Sequence, residues 1–368
     1  MLQCEIVTTE TGIEAIAGEW RQLHARLGRS PYTDYGWFRI WWDMLGKSHG
    51  ARHLHIVVGR ANGRLEGLLA LTVVRRHGLR ILHAAGHKAF YYCDMLAANA
   101  EDASVLWEAA WQSPHYDFAD IRDVCSGTLG YEALSKFAHP RDITDSFAIR
   151  NTWDTSEEWL MSLVGHARGT FKRYTRRLQK KGTVSYEFYK AGPLPALLID
   201  NMVREKIAWS IAREKHGLFD HPNVLPFFHR LLELAARQNA LFLAWLKCGE
   251  DVIAYNLGFI HQSQLRMFFW THNPQWSDCS PGNVILVNSI NQAIDRGLGG
   301  IDLGHGGGTL KRQYANEMGE CVEFTFACGA KRIFEIAFIG VRCIWRFLTR
   351  MKLEERVTLA KHRQENEG

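Results

Sequence analysis

The segment Asp302-Leu303-Gly304-His305-Gly306-Gly307-Gly308 concentrates a carboxylate, an imidazole and four glycines in one stretch. Glycines at 304, 306, 307 and 308 remove the Cβ atoms that hold a backbone away from a ligand, and both Asp302 and His305 can accept protons. An ammonium, Lys311, and a phenol, Tyr314, follow within the next turns of chain. A Walker loop is excluded, because Thr309 stands where that motif needs its second glycine. A lipase-type oxyanion loop is excluded too, since no G-x-S-x-G elbow exists in the chain. A flexible turn without chemistry remains the plain alternative.

Two further segments suit negative charge. Ser280-Pro281-Gly282-Asn283 opens a helix, with Ser as the cap, Pro spending no N–H and Gly leaving the approach open. The positive end of a helix at such a turn fits a pyrophosphate, and an ordinary helix cap is the competing reading. From Arg168 to Lys181 the chain carries Arg168, Lys172, Arg173, Arg176, Arg177, Lys180 and Lys181 without an acid, around the apolar stripe Phe171, Tyr174 and Leu178. Coenzyme phosphates, tRNA or lipid headgroups could lie on that face, which could equally be a solvated one.

Helical spacing and turn residues outline the elements that position these groups. A helix is expected around 20–27, then another over 35–45 whose Trp37, Phe38, Trp41 and Trp42 form core. Strands at 54–60 and 67–74 flank Asn62-Gly63, a tight-turn signal, and a third strand follows at 79–83. A helix near 102–112, a strand near 117–124, a helix around 129–137 and a linking strand at 146–151 complete the first half. The second half opens on the capping box Thr155 to Glu158, then long helices at 194–213, closed by Gly217, and at 224–238. Strands at 241–246, 252–260 and 264–271 precede a helix at 283–296, a short strand at 300–304 and a helical 309–316. A strand, a crossover helix and a further strand imply one parallel pair within an otherwise antiparallel sheet. Both halves share one grammar: helices, an antiparallel meander, a helix, a strand.

With 368 residues the chain is long enough for two lobes, predicted at 1–150 and 151–330, with 331–368 as an amphipathic helix and polar tail. Forty-four basic against 39 acidic residues leave +5, too little to assign DNA as a partner. The 46% hydrophobic content and 13 Trp exclude disorder for the bulk. Eight cysteines without a C-x-x-C pair read as reduced thiols, and the 17 histidines show no ligand spacing, so no metal is expected. The N-terminus lacks a signal-peptide pattern and no apolar run reaches bilayer length, which predicts a cytoplasmic protein. The stretch from Ile333 to Leu348 is apolar but carries Glu335, Arg342 and Arg346, and is a candidate for peripheral contact with the inner face of the cytoplasmic membrane.

The C-terminal half resembles the CelD/BcsL family of acyltransferases, a branch of the GNAT (Gcn-type N-acetyltransferase) superfamily related to the FemAB peptidyltransferases. The resemblance rests on the basic helix ending in Leu-x-x-x-Gly (residues 173–182), Asp251-Val252-Ile253-Ala254, Trp276-x-x-x-Ser280-Pro281-Gly282, and Asp302-x-Gly304 followed by Lys311 and Tyr314. More loosely, Trp37, Trp41-Trp42, the Gly63 to Gly67 hairpin and Asp94 extend it to roughly residues 10–328. It implies an α/β fold of two tandem GNAT-like lobes, each a mixed, mostly antiparallel sheet flanked by helices. It also implies acyl transfer from acyl-CoA to an amine, with a lipid-like or cell-envelope acceptor as the narrower expectation, and no metal. Donor pyrophosphate would sit at Ser280, Gly282, Asn283 and Val284, although the superfamily turn usually has more glycines than Gly282 alone. His305 is the candidate base, Asp302 its orienting group or the amine's anchor, Tyr314 the proton donor to sulfur and Lys311 a holder of acyl oxygen or phosphate. Asp94 and Trp209 are candidates for touching the acceptor. Two alternatives are aminoacyl transfer from tRNA, and a non-catalytic membrane-associated scaffold in envelope polysaccharide or lipid assembly.

Overall fold

A computed structural model describes residues 2–327 except His49, His216 and Gly307; the expected helix at 333–348 and tail at 331–368 lie outside the described residues. The first lobe runs β1 (Gln3–Val7), α1 (Glu10–Ala15), α2 (Ala17–Leu27), α3 (Tyr35–Trp41) with a π-turn at Trp42–Gly46, β2 (Arg52–Ala61), β3 (Arg64–Arg76), β4 (Leu79–Ala84), α4 (Ala100–Trp111), β5 (Phe118–Cys125), α5 (Leu129–Leu134) and β6 (His139–Arg150). The second runs α6 (Ser156–Ser162), α7 (Gly165–Gln179), β7 (Val184–Phe188), α8 (Ala196–Ala212), α9 (Val224–Arg237), β8 (Leu241–Cys248), β9 (Asp251–His261), β10 (Gln264–His272), α10 (Pro281–Asp295), β11 (Gly300–His305), α11 (Thr309–Tyr314) and β12 (Glu317–Phe326).

Local chemistry sets most of these elements. Asn62 and Gly63 both take left-handed angles, φ 51° and 76°, so the β2–β3 turn matches the twist of its strands. Thr155 accepts from the Glu158 N–H at 3.3 Å and opens α6 as its sequence implied. Gly297, at φ 68°, follows the end of α10, where a side chain would be strained. Two expectations are corrected. Helix α8 ends at Ala212, and Gly217 instead begins the short 3-10 turn Leu218–Asp220. The strand before the second lobe begins at His139 rather than 146, because its outer half pairs with β12, a strand the sequence reading did not contain.

The strands form one twelve-stranded sheet in the order β1-β2-β3-β4-β5-β12-β6-β11-β10-β9-β8-β7. Only β4–β5 and β10–β11 are parallel, which meets the expected mixed, mostly antiparallel α/β class. The lobes interlock at the seam: β12, the last strand among the described residues, inserts between β5 of the first lobe and β6, while β6 pairs with β11 of the second. A boundary at residue 150 therefore divides the chain but not the sheet.

Helices α1 to α3, α8 and α9 share one face and one core with residues from both lobes. Trp37 joins them, its indole N–H donating to Gln238 at 3.1 Å and its ring meeting Phe259 edge-on at 4.6 Å. The expected aromatic core of Trp37, Phe38, Trp41 and Trp42 is fully buried there. On the opposite face, α4 and α5 cover the first lobe and α6, α7 and α10 the second. Among the described residues no helix is long and apolar enough to cross a membrane, and the six described cysteines are free.

Because the seam is shared, heat or urea should unfold both lobes in one transition. Phe324→Ala on β12, whose ring is wholly buried, should lower stability by about 3–5 kcal/mol and should not split that transition. Two transitions in calorimetry would contradict this.

Candidate active site

The site begins where a parallel pair parts. Strands β10 and β11 pair only through Gln264–Arg266 and Gly300–Asp302, after which β10 follows β9 and β11 follows β6. Each strand is irregular at that point, β10 between Met267 and Phe269 and β11 between Asp302 and Gly304. Such bulges bend a strand and leave backbone groups facing a gap.

Asp302 sits at the fork with both carboxylate oxygens engaged. Oδ1 accepts from Tyr92 at 2.8 Å and from the Gly304 N–H at 2.7 Å, while Oδ2 pairs with Arg266 at 3.2 Å. Gly304 has φ 80°, a left-handed conformation that glycine adopts without strain, and Lys311 Nζ lies close beside it. Lys311 donates to the His305 carbonyl at 2.7 Å and lies 5.8 Å from the Trp270 ring centroid. Burial brings its pKa down to about 8, leaving it mostly protonated at neutral pH.

The His305 ring faces the first lobe. It meets Tyr91 and Tyr92 at 5.5 and 6.0 Å, and its Nε2 lies 3.4 Å from Asp123. Burial holds the imidazole down at about 4 and raises Asp123 to about 7, so His305 is neutral at pH 7. The carboxylate beside His305 is thus Asp123, itself in a left-handed conformation at φ 59°, while Asp302 is spent on the fork.

The turn into α10 is built differently from an ordinary cap. Ser280 adopts φ 47° and ψ 53°, and its side chain caps no N–H of the helix, which corrects the expected capping role. The hydroxyl instead meets Tyr174 of α7, whose phenol is held below its usual pKa by that bond and then by Arg173. Arg173 and Arg177 lie over the Tyr174 ring at 4.9 and 5.7 Å, and Arg177 also donates to the Asp278 carbonyl at 3.2 Å. The basic helix and the turn, separate in sequence, therefore form one basic rim, on which Asp278 is paired with Lys181 at 2.7 Å. His272 packs beside Gly282, where a Cβ would make an ordinary contact with its Nδ1 at 3.4 Å. Asn283 and Val284 are buried and turn inward. Asn283 donates from Nδ2 to the Tyr314 hydroxyl at 2.9 Å and accepts from it at 3.2 Å, so the pair braces the turn from beneath, and burial raises the Tyr314 pKa.

On the other face of β10, Trp209 is ringed by Lys206, Arg213 and Lys215 at 3.9, 4.5 and 4.9 Å from its ring centroid. Asp94 lines a cavity of about 160 Å³ at the seam together with Arg29, Tyr92 and Arg266. Burial raises the Asp94 pKa, and its Oδ1 accepts from the Met95 N–H at 2.8 Å. Three groups escaped sequence reasoning: His272, Asp123 and Glu205, the last raised to about 7 by burial on α8. His272 ends the strand directly before the turn, a signal that was present; Asp123 and Glu205 gain their character only from tertiary burial.

The first lobe repeats the plan with a different charge pattern. Its counterpart of α10 is α4, whose first turn holds Glu101 and Asp102 and so repels an anion, whereas that of α10 holds no acid. His83, His87 and Asp120 converge closely enough to hold a cation. Asp120 is already claimed by Arg122 at 2.7 Å and Arg141 at 3.3 Å, so the group is an ion-paired network.

Comparison with known proteins bears directly on the second lobe. Residues 165–312 match the family model described as "Acetyltransferase (GNAT) domain". The second lobe carries a GNAT acetyltransferase domain. It is an acyltransferase domain, as expected, and it spans α7, the rim, the fork and Lys311. No curated protein matches the chain by sequence. Among solved structures, the fold is similar to that of FemX (TM-score 0.60, 10% identity, covering 91% of this chain and 99% of that one). It is also similar to the C-terminal domain of a putative lysylphosphatidylglycerol synthetase from Agrobacterium fabrum (0.52, 11%, 88% and 95%). A third likeness is to L-PGS from Bacillus licheniformis (0.52, 9%, 89% and 96%). The GNAT lobe thus sits within a two-lobed fold shared along nearly the whole described chain.

Removing the Tyr314 hydroxyl leaves Asn283 with a buried, unpaired amide. Tyr314→Phe should therefore lower stability in urea by about 1–3 kcal/mol, and an unchanged midpoint would show that the turn does not depend on this pair.

Proposed function

We propose that the chain transfers an acyl group from an acyl-CoA thioester to an amine, as an enzyme of the CelD/BcsL branch of the GNAT superfamily. The observation that carries this is the parting of β10 and β11 with a charged lysine in the gap and an acid-free, arginine-flanked helix start beside it. Donor phosphates would lie on the rim of Ser280, Arg173 and Arg177, with backbone N–H groups of the α10 start behind. The thioester carbonyl would enter the gap, where the Lys311 ammonium meets the negative charge that develops on oxygen.

The amine nitrogen, once deprotonated, attacks the carbonyl carbon; the C–N bond forms, the C–S bond breaks, and the thiolate takes a proton. His305, neutral and 3.4 Å from Asp123, is the candidate to accept the amine's proton. Tyr314 is the candidate donor to sulfur, although its hydroxyl is occupied by Asn283. Loss of kcat in Tyr314→Phe beyond its stability cost would assign it that step. Aminoacyl transfer from tRNA is the second reading, favoured by the exposed Lys172 and Arg176 on α7 and Lys180 just after it, more positive charge than one pyrophosphate needs.

Thiol release from acyl-CoA with a panel of amines tests the proposal. Lys311→Met should lower kcat by about 10²–10³-fold. Activity should fall as pH rises through about 8, where Lys311 loses its charge, and that limb should vanish in the variant. Failure to bind acyl-CoA, with steeply salt-dependent tRNA binding lost in Arg173→Ala/Arg176→Ala/Arg177→Ala, would replace this reading by the second.

A further inference from the structure

Three cations surround one indole on α8. Lys206 Nζ, Arg213 Cζ and Lys215 Nζ lie 3.9, 4.5 and 4.9 Å from the Trp209 ring centroid, and Lys206 also rests 5.4 Å from Phe269 and 5.9 Å from Phe219. Among the described residues no carboxylate pairs with any of them, and the charges that reach Lys206 are those of Lys215, Arg213 and Lys311, all positive. Burial, then those neighbours, brings the Lys206 pKa down to about 8. An aromatic ring offsets part of this repulsion, but one half-buried ammonium, Lys206, stands beside two exposed cations, Arg213 and Lys215, with no anion among them.

The cluster also lies on the face of β10 opposite to the α10 turn. Phe269, which supports Lys206, belongs to the core under α8 and α9, whereas the neighbouring Trp270 packs with the core under α7 and α10. Lys311 stands in the gap between the two sides. A donor held on the α7–α10 rim would leave this second basic patch to the other substrate.

The geometry points to a phosphate-binding subsite formed by Lys206, Arg213 and Lys215 around Trp209, which receives an acceptor whose amine is carried on a phosphate ester. An arginine fork and two ammonium groups suit the several oxygens of a phosphate better than a single carboxylate. The ester could be a small soluble phosphate or a phospholipid headgroup. The role as acceptor site rests on the proposed acyl transfer; the anion site itself does not.

The test uses the full chain and two double variants, Arg213→Gln/Lys215→Gln and Arg173→Ala/Arg177→Ala. Affinity is measured by calorimetry for glycerol 3-phosphate, CoA and 3′-dephospho-CoA. Co-sedimentation is measured with vesicles of phosphatidylcholine alone or mixed with phosphatidylglycerol. The α8 variant should bind glycerol 3-phosphate, or the mixed vesicles, at least tenfold more weakly, with CoA affinity unchanged; the probe affected identifies a soluble or a lipid source. The α7 variant should show the reverse. Unchanged affinity for both phosphate probes in the α8 variant overturns the subsite, as does a loss of CoA affinity there that 3′-dephospho-CoA does not share, which would assign the cluster to the donor. Absence of CoA binding in the parent, with phosphate binding still dependent on α8, would instead sink the donor reading and leave the subsite standing.

Discussion

The carboxylate of Asp302 is the point on which the site's geometry depends. One oxygen closes the bend of β11 through the Gly304 N–H and holds Tyr92 of the first lobe, while the other ties Arg266 of β10. Arg266 in turn donates to the Arg29 carbonyl at 2.8 Å, which carries the tie back into the first lobe. A single charged group thus sets where two strands separate and how the lobes meet there. With both oxygens engaged, Asp302 acts as an anchor, and His305, Asp123 and Lys311 are the titratable groups left beside the gap.

The two lobes share a plan and differ in charge. Each has a meander, a crossover helix and a parallel pair that is short, two positions for β4–β5 and three for β10–β11. In the first lobe the aromatic segment Phe90, Tyr91 and Tyr92 packs towards the other lobe's core and the His305 ring, and the crossover helix begins with acids. In the second the corresponding helix begins without them and meets the basic α7. The first lobe thereby supplies one wall of the second lobe's gap through Tyr91, Tyr92 and Asp123.

Much of this was legible in the sequence, for reasons specific to each element. Asn62-Gly63 marked its hairpin because few residues tolerate two left-handed angles in succession. The stripe Phe171, Tyr174 and Leu178 placed the basic flanks of α7 outward, and the strand–helix–strand succession placed the fork near Asp302. Strands β1, β7 and β12 were not legible, being short or polar on one side and defined by partners far away in the chain, such as Cys321 of β12 opposite Cys125 of β5. Ser280 looked like a cap because residue type carries no φ angle. The direction of the His305 ring and the desolvation of Asp123 arise from packing between segments more than a hundred residues apart, which no local pattern encodes.

The late insertion of β12 has a consequence for how the protein is made. During synthesis β5 and β6 leave the ribosome early, yet the strand that lies between them is translated only at residues 317–326. Until then both carry unpaired edges in a nascent chain whose first lobe is otherwise complete, an arrangement prone to capture by neighbouring chains. Closure of the seam therefore waits until residues 317–326 have been made, and the first lobe cannot complete its sheet alone.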